Sequence, residues 1–456
     1  MRRLPASGHG RVNERVSRLA ALLVLVAAAA IPARAGEFRL FLEGEAGVRN
    51  DGDYSQGSQG SQGDRLVQTR DQAVGRAGLN LQLSYHRERL DLAMGYSPSY
   101  ERGFDHPEQL SGLTHRLDFG LVGDLSRRLK LSVREQLFSS PTRDLYAPTQ
   151  ADTNVANVAP RQGDQLVHSL NVQLDDAVTR RVSIRAGVSQ GMRMYRDSGL
   201  ADSRELLGRL GASVELDRGR QAEVAADAGR YDYGALGEAS VRTFGVAWAT
   251  GLGKSSRLRL EAGGYSVDST RRARPLPGQP GEPALESSSD QGWRGGLQFA
   301  RDQRLFHWAL GLSHDVSPGA GLGRAAKADN AFLGISTTSI GRRLTLALDV
   351  NGSRQRDVSS QLAAVGTIGT NHQLGTDGVL TEYAAGTASA SWSFWQGFRA
   401  VGGYSRVWQR SRVEPFPNLS YGRYFLNLAF RIFNTGETPQ LPERLGEPTH
   451  EEPDAQ

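Results

Sequence analysis

The sequence contains no cysteine, and it contains only 4 methionines and 6 tryptophans among its 456 residues. The absence of cysteine excludes disulfide bonds and thiolate metal ligands, and it excludes the lipid-bearing cysteine of a lipoprotein. Only 38% of the residues are apolar, which is little for one large soluble core. After residue 31, no apolar stretch is long enough for a transmembrane helix.

The N-terminal segment has the composition of an export signal. Several arginines precede the apolar stretch 19–31, and Ala33 and Ala35 supply small residues for cleavage. We therefore expect residues 1–35 to be a secretory signal peptide, since the apolar run is short for a membrane anchor. These residues contain six arginines and one glutamate, which equals the whole net charge of +5. The basic composition therefore does not indicate a nucleic-acid partner.

Apolar and polar residues alternate in short runs along most of the remaining chain. Residues 79–84 (LNLQLS), 129–134 (LKLSVR) and 182–188 (VSIRAGV) are examples. A period of two places the apolar side chains on one face of a strand. Eighteen such runs are joined alternately by eight tight and nine long polar connections. This pattern predicts an all-β fold: a closed antiparallel transmembrane β-barrel of about 18 strands, with 16–20 as the range.

The predicted barrel covers residues 36–433 and ends in a strand with a specific pattern. Residues 422–433 (GRYFLNLAFRIF) alternate and end on Phe433. This segment resembles the C-terminal assembly signal of bacterial outer-membrane β-barrels, and the alternating runs resemble porin-like architecture. In that class the chain usually ends at the aromatic residue, whereas here residues 434–456 follow. We expect this acidic segment, rich in proline and glutamate, to be a disordered periplasmic tail.

The resemblance implies a location in the outer membrane, contact with its lipid, and recognition of residues 422–433 by the barrel assembly machinery. Short turns of such barrels lie in the periplasm and long loops lie outside the cell. The first connection, 50–69, is long, so both termini are expected in the periplasm. Connection 269–288 is then expected outside the cell.

Inward positions of the predicted strands carry both signs of charge in near balance, with a small excess of bases. Two interpretations stay open, because such residues either line a water-filled channel or form cross-strand ion pairs that stiffen the wall. The candidate pore-lining residues are Arg116, Lys130, Arg134, Arg185, Arg193, Arg257, Arg259, Arg343, Asp118, Glu215, Glu261 and Asp349.

An 18-strand barrel leaves an aqueous lumen unless a segment fills it. The predicted function is therefore a weakly selective outer-membrane pore for small hydrophilic solutes. One alternative is a structural barrel that sheathes a periplasmic partner in an export or electron-transfer complex. Another is a hydrolase, but alternation puts Ser313 and Asp315 on one face and His314 on the other, which does not favour a triad. We predict no catalytic residue, no cofactor and no metal site.

Two charged residues do not fit the alternation. Glu135 falls on the lipid-facing side of its strand, and Arg406 does so on another. A charge at the bilayer midplane is costly. Either the two residues lie near the rim of the barrel, or a β-bulge shifts the register beside them.

Overall fold

The fold is a single antiparallel sheet that closes on itself. A computed structural model describes residues 37–57, 66–67, 72–104, 111–140, 165–195, 202–217, 219–253, 255–272, 285–317, 325–337, 340, 343–357, 379–395, 397–411 and 418–434. The strands are β1 (Glu37–Gly57), β2 (Leu66–Val67), β3 (Gln72–Arg87), β4 (Leu90–Gly103), β5 (Gly112–Asp124), β6 (Leu129–Ser140), β7 (Gln165–Asp176), β8 (Val182–Tyr195), β9 (Ser203–Asp217), β10 (Arg220–Asp232), β11 (Gly237–Gly251), β12 (Ser256–Arg272), β13 (Leu285–Asp302), β14 (Phe306–Ser317), β15 (Ala326–Thr337), β16 (Leu344–Asp357), β17 (Val379–Trp395), β18 (Phe398–Ser411) and β19 (Asn418–Asn434).

Eighteen of these strands are long, and each is antiparallel to its neighbours in the wall. The two-residue strand β2 only adds a short pairing to the end of β1. The last long strand, β19, pairs with the first, from Phe41 opposite Asn434 to Gly57 opposite Asn418, and this pairing closes the barrel. The predicted 18-strand closed barrel is thus confirmed. No helix in the described ranges is long and apolar enough to cross a membrane.

Glycine residues allow the chain to reverse in tight turns at one end of the barrel. Gly219 joins β9 to β10 with φ 80°, and Gly397 joins β17 to β18 with φ 84°. A side chain is disfavoured in this left-handed region, so glycine is the residue that reverses the chain here. A short 3-10 helix, Gly234–Leu236, makes the connection from β10 to β11 at the opposite end.

Alternation gives the wall two chemically different faces. On β11, Phe244, Val246 and Trp248 are 56%, 50% and 38% exposed. Thr243, which precedes Phe244, is on the other face and donates a hydrogen bond to Asp227 of β10. The same separation holds in β19, where Tyr424, Leu426, Leu428, Phe430 and Ile432 are all exposed. The outer face is therefore apolar and the inner face polar, as the alternation predicts.

One part of the outer face is packed more tightly. Leu117 is on the predicted lipid-facing side of β5, but it is only 3% exposed and forms a buried cluster with Met94 and Leu137. On the same face, Glu135 of β6 and His168 of β7 form a hydrogen bond of 3.1 Å between Oε1 and Nε2.

The register has no bulge at either unexpected charge. The pairings of Glu135 with β5 and β7 are continuous, and so are those of Arg406 with β17 and β19 around that position. The bulge interpretation is therefore wrong for both residues. Each instead has a polar partner on the outer face, since Arg406 donates to Ser420 Oγ at 2.9 Å.

The strands extend into both of the long connections named above. β1 continues to Gly57, inside the expected connection 50–69, and β12 and β13 reach Arg272 and Leu285, inside the expected connection 269–288. The expected signal peptide 1–35 lies outside the described residues. The same is true of the expected tail 434–456 apart from Asn434, the last residue of β19.

Candidate functional site: the charged lumen

The inner face between β7 and β14 carries a connected network of charged side chains. Glu223 on β10 is 7% exposed and contacts three arginines. Its carboxylate lies 3.5 Å from Arg185 on β8, 3.4 Å from Arg209 on β9 and 3.0 Å from Arg259 on β12. Arg185 also binds Asp175 on β7 at 2.8 Å. Contacts between strands that are not neighbours form readily on the concave face, so this face is the lumen.

Arg294 on β13 continues the network and is the most enclosed of its arginines. Its guanidinium lies 3.3 Å from Asp227, 2.8 Å from Glu261 and 3.1 Å from Asp315. It also donates to Thr243 Oγ1 at 2.7 Å. Planar guanidinium groups offer several donors in fixed directions, which explains how one side chain joins carboxylates from three strands.

A cavity of about 340 Å³ lies beside this network. Its polar lining includes Arg193, Glu205, Arg209, Asp227 and Asp315. Carboxylates and guanidinium groups thus share one cavity, in which a small polar solute would find donors and acceptors.

Aromatic side chains border the network toward the end with the long connections. Tyr231 and Tyr233 are each 4% exposed and belong to a buried cluster with Val241, Tyr265 and Val316. Tyr233 lies outside the strands, and burial raises the pKa of its phenol, so it stays neutral. This cluster narrows the lumen on the side that holds Glu223 and Arg294.

Smaller charged groups lie elsewhere on the inner face. Arg116 binds Asp118 at 2.8 Å on β5, and Gln136 donates to the same carboxylate. Arg399 binds Glu43 across β19 at 3.0 Å. Acids and bases therefore alternate around the wall rather than separating into one positive and one negative side.

The strand register places all but one of the sequence-predicted site residues on the inner face. Residues directly opposite one another share a face, and Lys130 is opposite Asp175, which is opposite Arg185. The inward residues are Arg116, Lys130, Arg134, Arg185, Arg193, Arg257, Arg259, Asp118, Glu215, Glu261 and Asp349. Arg343 lies in the turn before β16 rather than within the strand.

Four residues at the centre of the network were not among the selected candidates: Glu223, Asp227, Arg294 and Asp315. Each falls at an inward position of a predicted strand, so alternation gives its face. Some of their partners are on adjacent strands, but Glu223 also meets Arg185 and Arg259 two strands away, and Asp227 meets Arg294 three strands away. The sequence carries no signal for these longer contacts. The register also separates Ser313, which faces Asn330, from His314, which bonds Asp329 on the outer face. Among the described residues, no group of His, Asp or Glu is arranged to hold a metal ion.

A closed antiparallel barrel with an apolar outer face and a charged inner face is the architecture of outer-membrane β-barrels. This chain is an outer-membrane β-barrel of porin-like architecture. The distribution of its side chains places it in the outer membrane, because the exposed apolar face requires lipid around it.

Three solved structures show what the chain is similar to. Pseudomonas aeruginosa OccK2 (OpdF) is 10% identical with a TM-score of 0.41, over 86% of this chain and 98% of that chain. Acinetobacter baumannii OccAB1 is 11% identical with a TM-score of 0.40, over 86% and 97%. A BenF-like porin from Pseudomonas fluorescens Pf-5 is 11% identical with a TM-score of 0.40, over 86% and 98%. No protein-family model and no curated protein matches the sequence.

Proposed function

We propose that this protein is an outer-membrane pore for small hydrophilic solutes. One observation carries the proposal: the inner face of a closed 18-strand barrel holds a mixed-charge network with a cavity beside it. A purely apolar interior would not hold a buried carboxylate such as Glu223 with three arginines around it.

The charges of the network give the pore weak selectivity. Arg185, Arg209, Arg259 and Arg294 interleave with Asp175, Glu223, Asp227, Glu261 and Asp315. Neighbouring opposite charges cancel within a few ångströms, so a passing ion meets alternating weak fields rather than one strong field. Over the whole lumen, the small excess of inward bases favours anions slightly.

This network combines both interpretations of the inward charges, as lining of a channel and as ion pairs that stiffen the wall. Arg185, Arg259 and Glu261 form cross-strand ion pairs on the lumen, and Arg185 also lines the cavity. We infer that the pairs stiffen the wall and also set the local field. Arg193 also lines the cavity. The other inward candidates line the rest of the lumen: Arg116, Asp118, Lys130, Arg134, Arg257, Glu215 and Asp349. Arg343 acts only at the mouth beside a tight turn.

Planar bilayers test the function directly. Purified protein should give stable open conductance with a reversal potential near zero in a KCl gradient, shifted slightly in the anion direction. The shift should fade as salt rises, because the screening length falls from about 8 Å at physiological salt to about 3 Å at 1 M. Silence after verified insertion, with a co-purifying periplasmic protein, would favour the sheathing barrel instead.

A further inference from the structure

A row of ionisable side chains crosses the outer face of five neighbouring strands. Residues directly opposite one another in the ladders share a face, and the row runs from β14 to β18. Its members, in order around the barrel, are His314, Asp329, Arg354, Glu382 and Arg410. Asp329 holds His314 at 2.5 Å, and Arg354 lies 3.4 Å from Glu382. We call this set of five residues the charged row.

The charged row lies where the apolar band of the barrel ends. His314 is eight residues from the start of β14 at Phe306, and Arg354 is ten residues from the start of β16 at Leu344. At about 3.4 Å per residue and a strand tilt of about 40°, these positions are about 20–26 Å higher in the membrane. The apolar band of such barrels is about 25 Å tall. The row therefore lies at the level of the lipid head groups, at the end with the long connections.

A broad hollow lies beside the charged row on the outer surface. Its volume is about 810 Å³, and it is lined mainly by apolar atoms. Trp293 on β13 and Trp408 on β18 border it, and they are 65% and 41% exposed. Its floor includes Ala331 and Gly352, two small residues that lie opposite one another. The ring of Trp293 also stacks on that of His314, with centroids 4.2 Å apart. We call this hollow the outer groove.

The outer groove is wider than a single acyl chain. Its two tryptophans are five strand intervals apart, which is about 24 Å at about 4.8 Å per strand. Tryptophan rings in membrane proteins lie preferentially at the level of the head groups, so these two mark the sides of one lipid-facing depression. A lipid with several acyl chains side by side fills this width, whereas a single chain covers only part of the floor.

The charges beside the outer groove favour an anionic head group. Four arginines and two carboxylates lie there on the outer face of β15 to β18: Arg354, Arg356, Arg406 and Arg410, with Asp329 and Glu382. Arg406 and Arg410 are both exposed and lie on either side of Trp408 along β18. Guanidinium groups bind phosphate through paired, charge-assisted hydrogen bonds. The excess of two positive charges therefore suits a head group that carries phosphate.

The two carboxylates of the row indicate which phosphorylated lipid fits. Asp329 and Glu382 would repel the phosphate of a simple phospholipid, but they accept hydrogen bonds from sugar hydroxyls. The end of the barrel with the long connections faces outside in this class of protein. The leaflet on that side of a Gram-negative outer membrane is rich in phosphorylated glycolipid with several acyl chains. Charge, width and position thus agree on one class of lipid.

We propose that the outer groove binds one phosphorylated glycolipid molecule of the outer leaflet. The acyl chains lie over Ala331 and Gly352 between the two tryptophans, and the phosphates contact Arg354 and Arg410. The site also explains why Arg406 is on the lipid-facing side of its strand, since it lies beside the head group. This binding goes beyond the proposed pore, because a lipid held on the outer wall does not require an open lumen.

Native mass spectrometry of the purified protein in detergent tests the site, with hexa-acylated diphosphoryl lipid A as the probe. The wild type should retain one lipid A per chain. Lipid A without its phosphates, and phosphatidylglycerol, should each bind about tenfold more weakly or worse. Absence of retained lipid A would overturn the site. Equal binding of phosphatidylglycerol would overturn the assignment to a glycolipid.

A pair of charge variants locates the head group. R354Q/R410Q should weaken lipid A binding about tenfold or more, because it removes two phosphate contacts. The matched control is R204Q/R242Q, which removes two exposed arginines from the outer face of β9 and β11, away from the outer groove. The control should leave lipid A binding nearly unchanged. Equal weakening by the two double variants would reveal only general attraction of an anionic lipid and would overturn the proposal.

A third variant tests the apolar part without any change of charge. Ala331 is exposed on the outer face, so A331W places a large side chain on the floor of the outer groove. It should lower lipid A binding several-fold and leave ion conductance in planar bilayers unchanged, because residue 331 faces away from the lumen. Unchanged lipid A binding by folded A331W would overturn the placement of the acyl chains. Conductance is read separately, so failure of the lipid site and failure of the pore are distinguishable.

Discussion

Arg259 on β12 reaches across β11 to Glu223 on β10, with 3.0 Å between Nη2 and Oε2. The intervening strand places the small side chain of Ala247 opposite both Glu223 and Glu261. The small side chain of Ala247 leaves room for the side chains of Arg259 and Glu223 to meet above it. Charge pairing in this lumen therefore depends on the size of residues that carry no charge.

Removing the central acid should change both stability and selectivity. E223Q leaves three arginines without their shared carboxylate, and it should lower the free energy of unfolding by about 1–3 kcal/mol. One unit of charge about 8 Å from an ion in water is worth about 0.5 kcal/mol. Loss of the negative charge favours an anion and disfavours a cation by this amount each, so the anion-to-cation permeability ratio should rise about fivefold at low salt, measured as a reversal potential. D349N makes the same charge change on β16, outside the network, and should leave stability nearly unchanged. Equal losses of stability in the two variants would contradict the central role of Glu223.

Removing Arg294 should shift the ion selectivity in the opposite direction, toward cations. R294Q leaves the carboxylates of Asp227, Glu261 and Asp315 without their common partner, so the lumen should favour cations more strongly. The measurement is the reversal potential in a KCl gradient at low salt. R134Q removes an inward arginine from β6 and serves as the control. If R134Q and R294Q shift the reversal potential equally, the network does not form the selective part of the lumen.

The topology can be read with protease on intact cells. Long connections gather at one end of the barrel and tight turns at the other, and long loops of such barrels face the outside. Protease should cut within 50–69 and 269–288 and should spare 434–456. Cleavage of the tail from outside would invert the orientation.

The polar pair on the outer face should reduce stability. Glu135 and His168 are about one-fifth exposed on a face that otherwise contacts lipid. Polar groups facing lipid are costly, so E135L/H168L should raise the free energy of unfolding in lipid vesicles by about 1 kcal/mol. R116L/D118L replaces an inward pair and should lower it. A loss of stability in E135L/H168L would show that the pair is needed for packing or for a contact on this face.

Assembly should depend on the last strand rather than on the segment after it. Phe433 is 48% exposed near the end of β19 and lies opposite Leu42 of β1 in the closing pairing. F433A should lower the amount of heat-modifiable barrel in the outer-membrane fraction, whereas deletion of residues 435–456 should not. Normal assembly of F433A would contradict the assignment of residues 422–433 as the segment that the assembly machinery recognises.

Much of the fold was predictable because strand alternation is a local property. The runs around Leu79, Leu129 and Val182 each specify an apolar face by themselves, and the polar connections between runs mark the reversals. The same reasoning put Arg185, Arg259 and Glu261 on the inner face. It could not show that Glu135 meets His168, because that contact depends on the stagger between two strands separated by a long connection.

The sequence by itself determined the number of strands, their approximate ends and the face of each side chain, since a period of two needs only neighbouring residues. Only the tertiary structure decided which inward charges meet, as with Glu223 and its arginines on β8, β9 and β12. It also decided where the β13–β14 ladder stops, which is where the end of β14 turns inward and Val316 is buried with Ala325. Contacts across several strands depend on register and curvature accumulated around the closed barrel, and no local pattern encodes them.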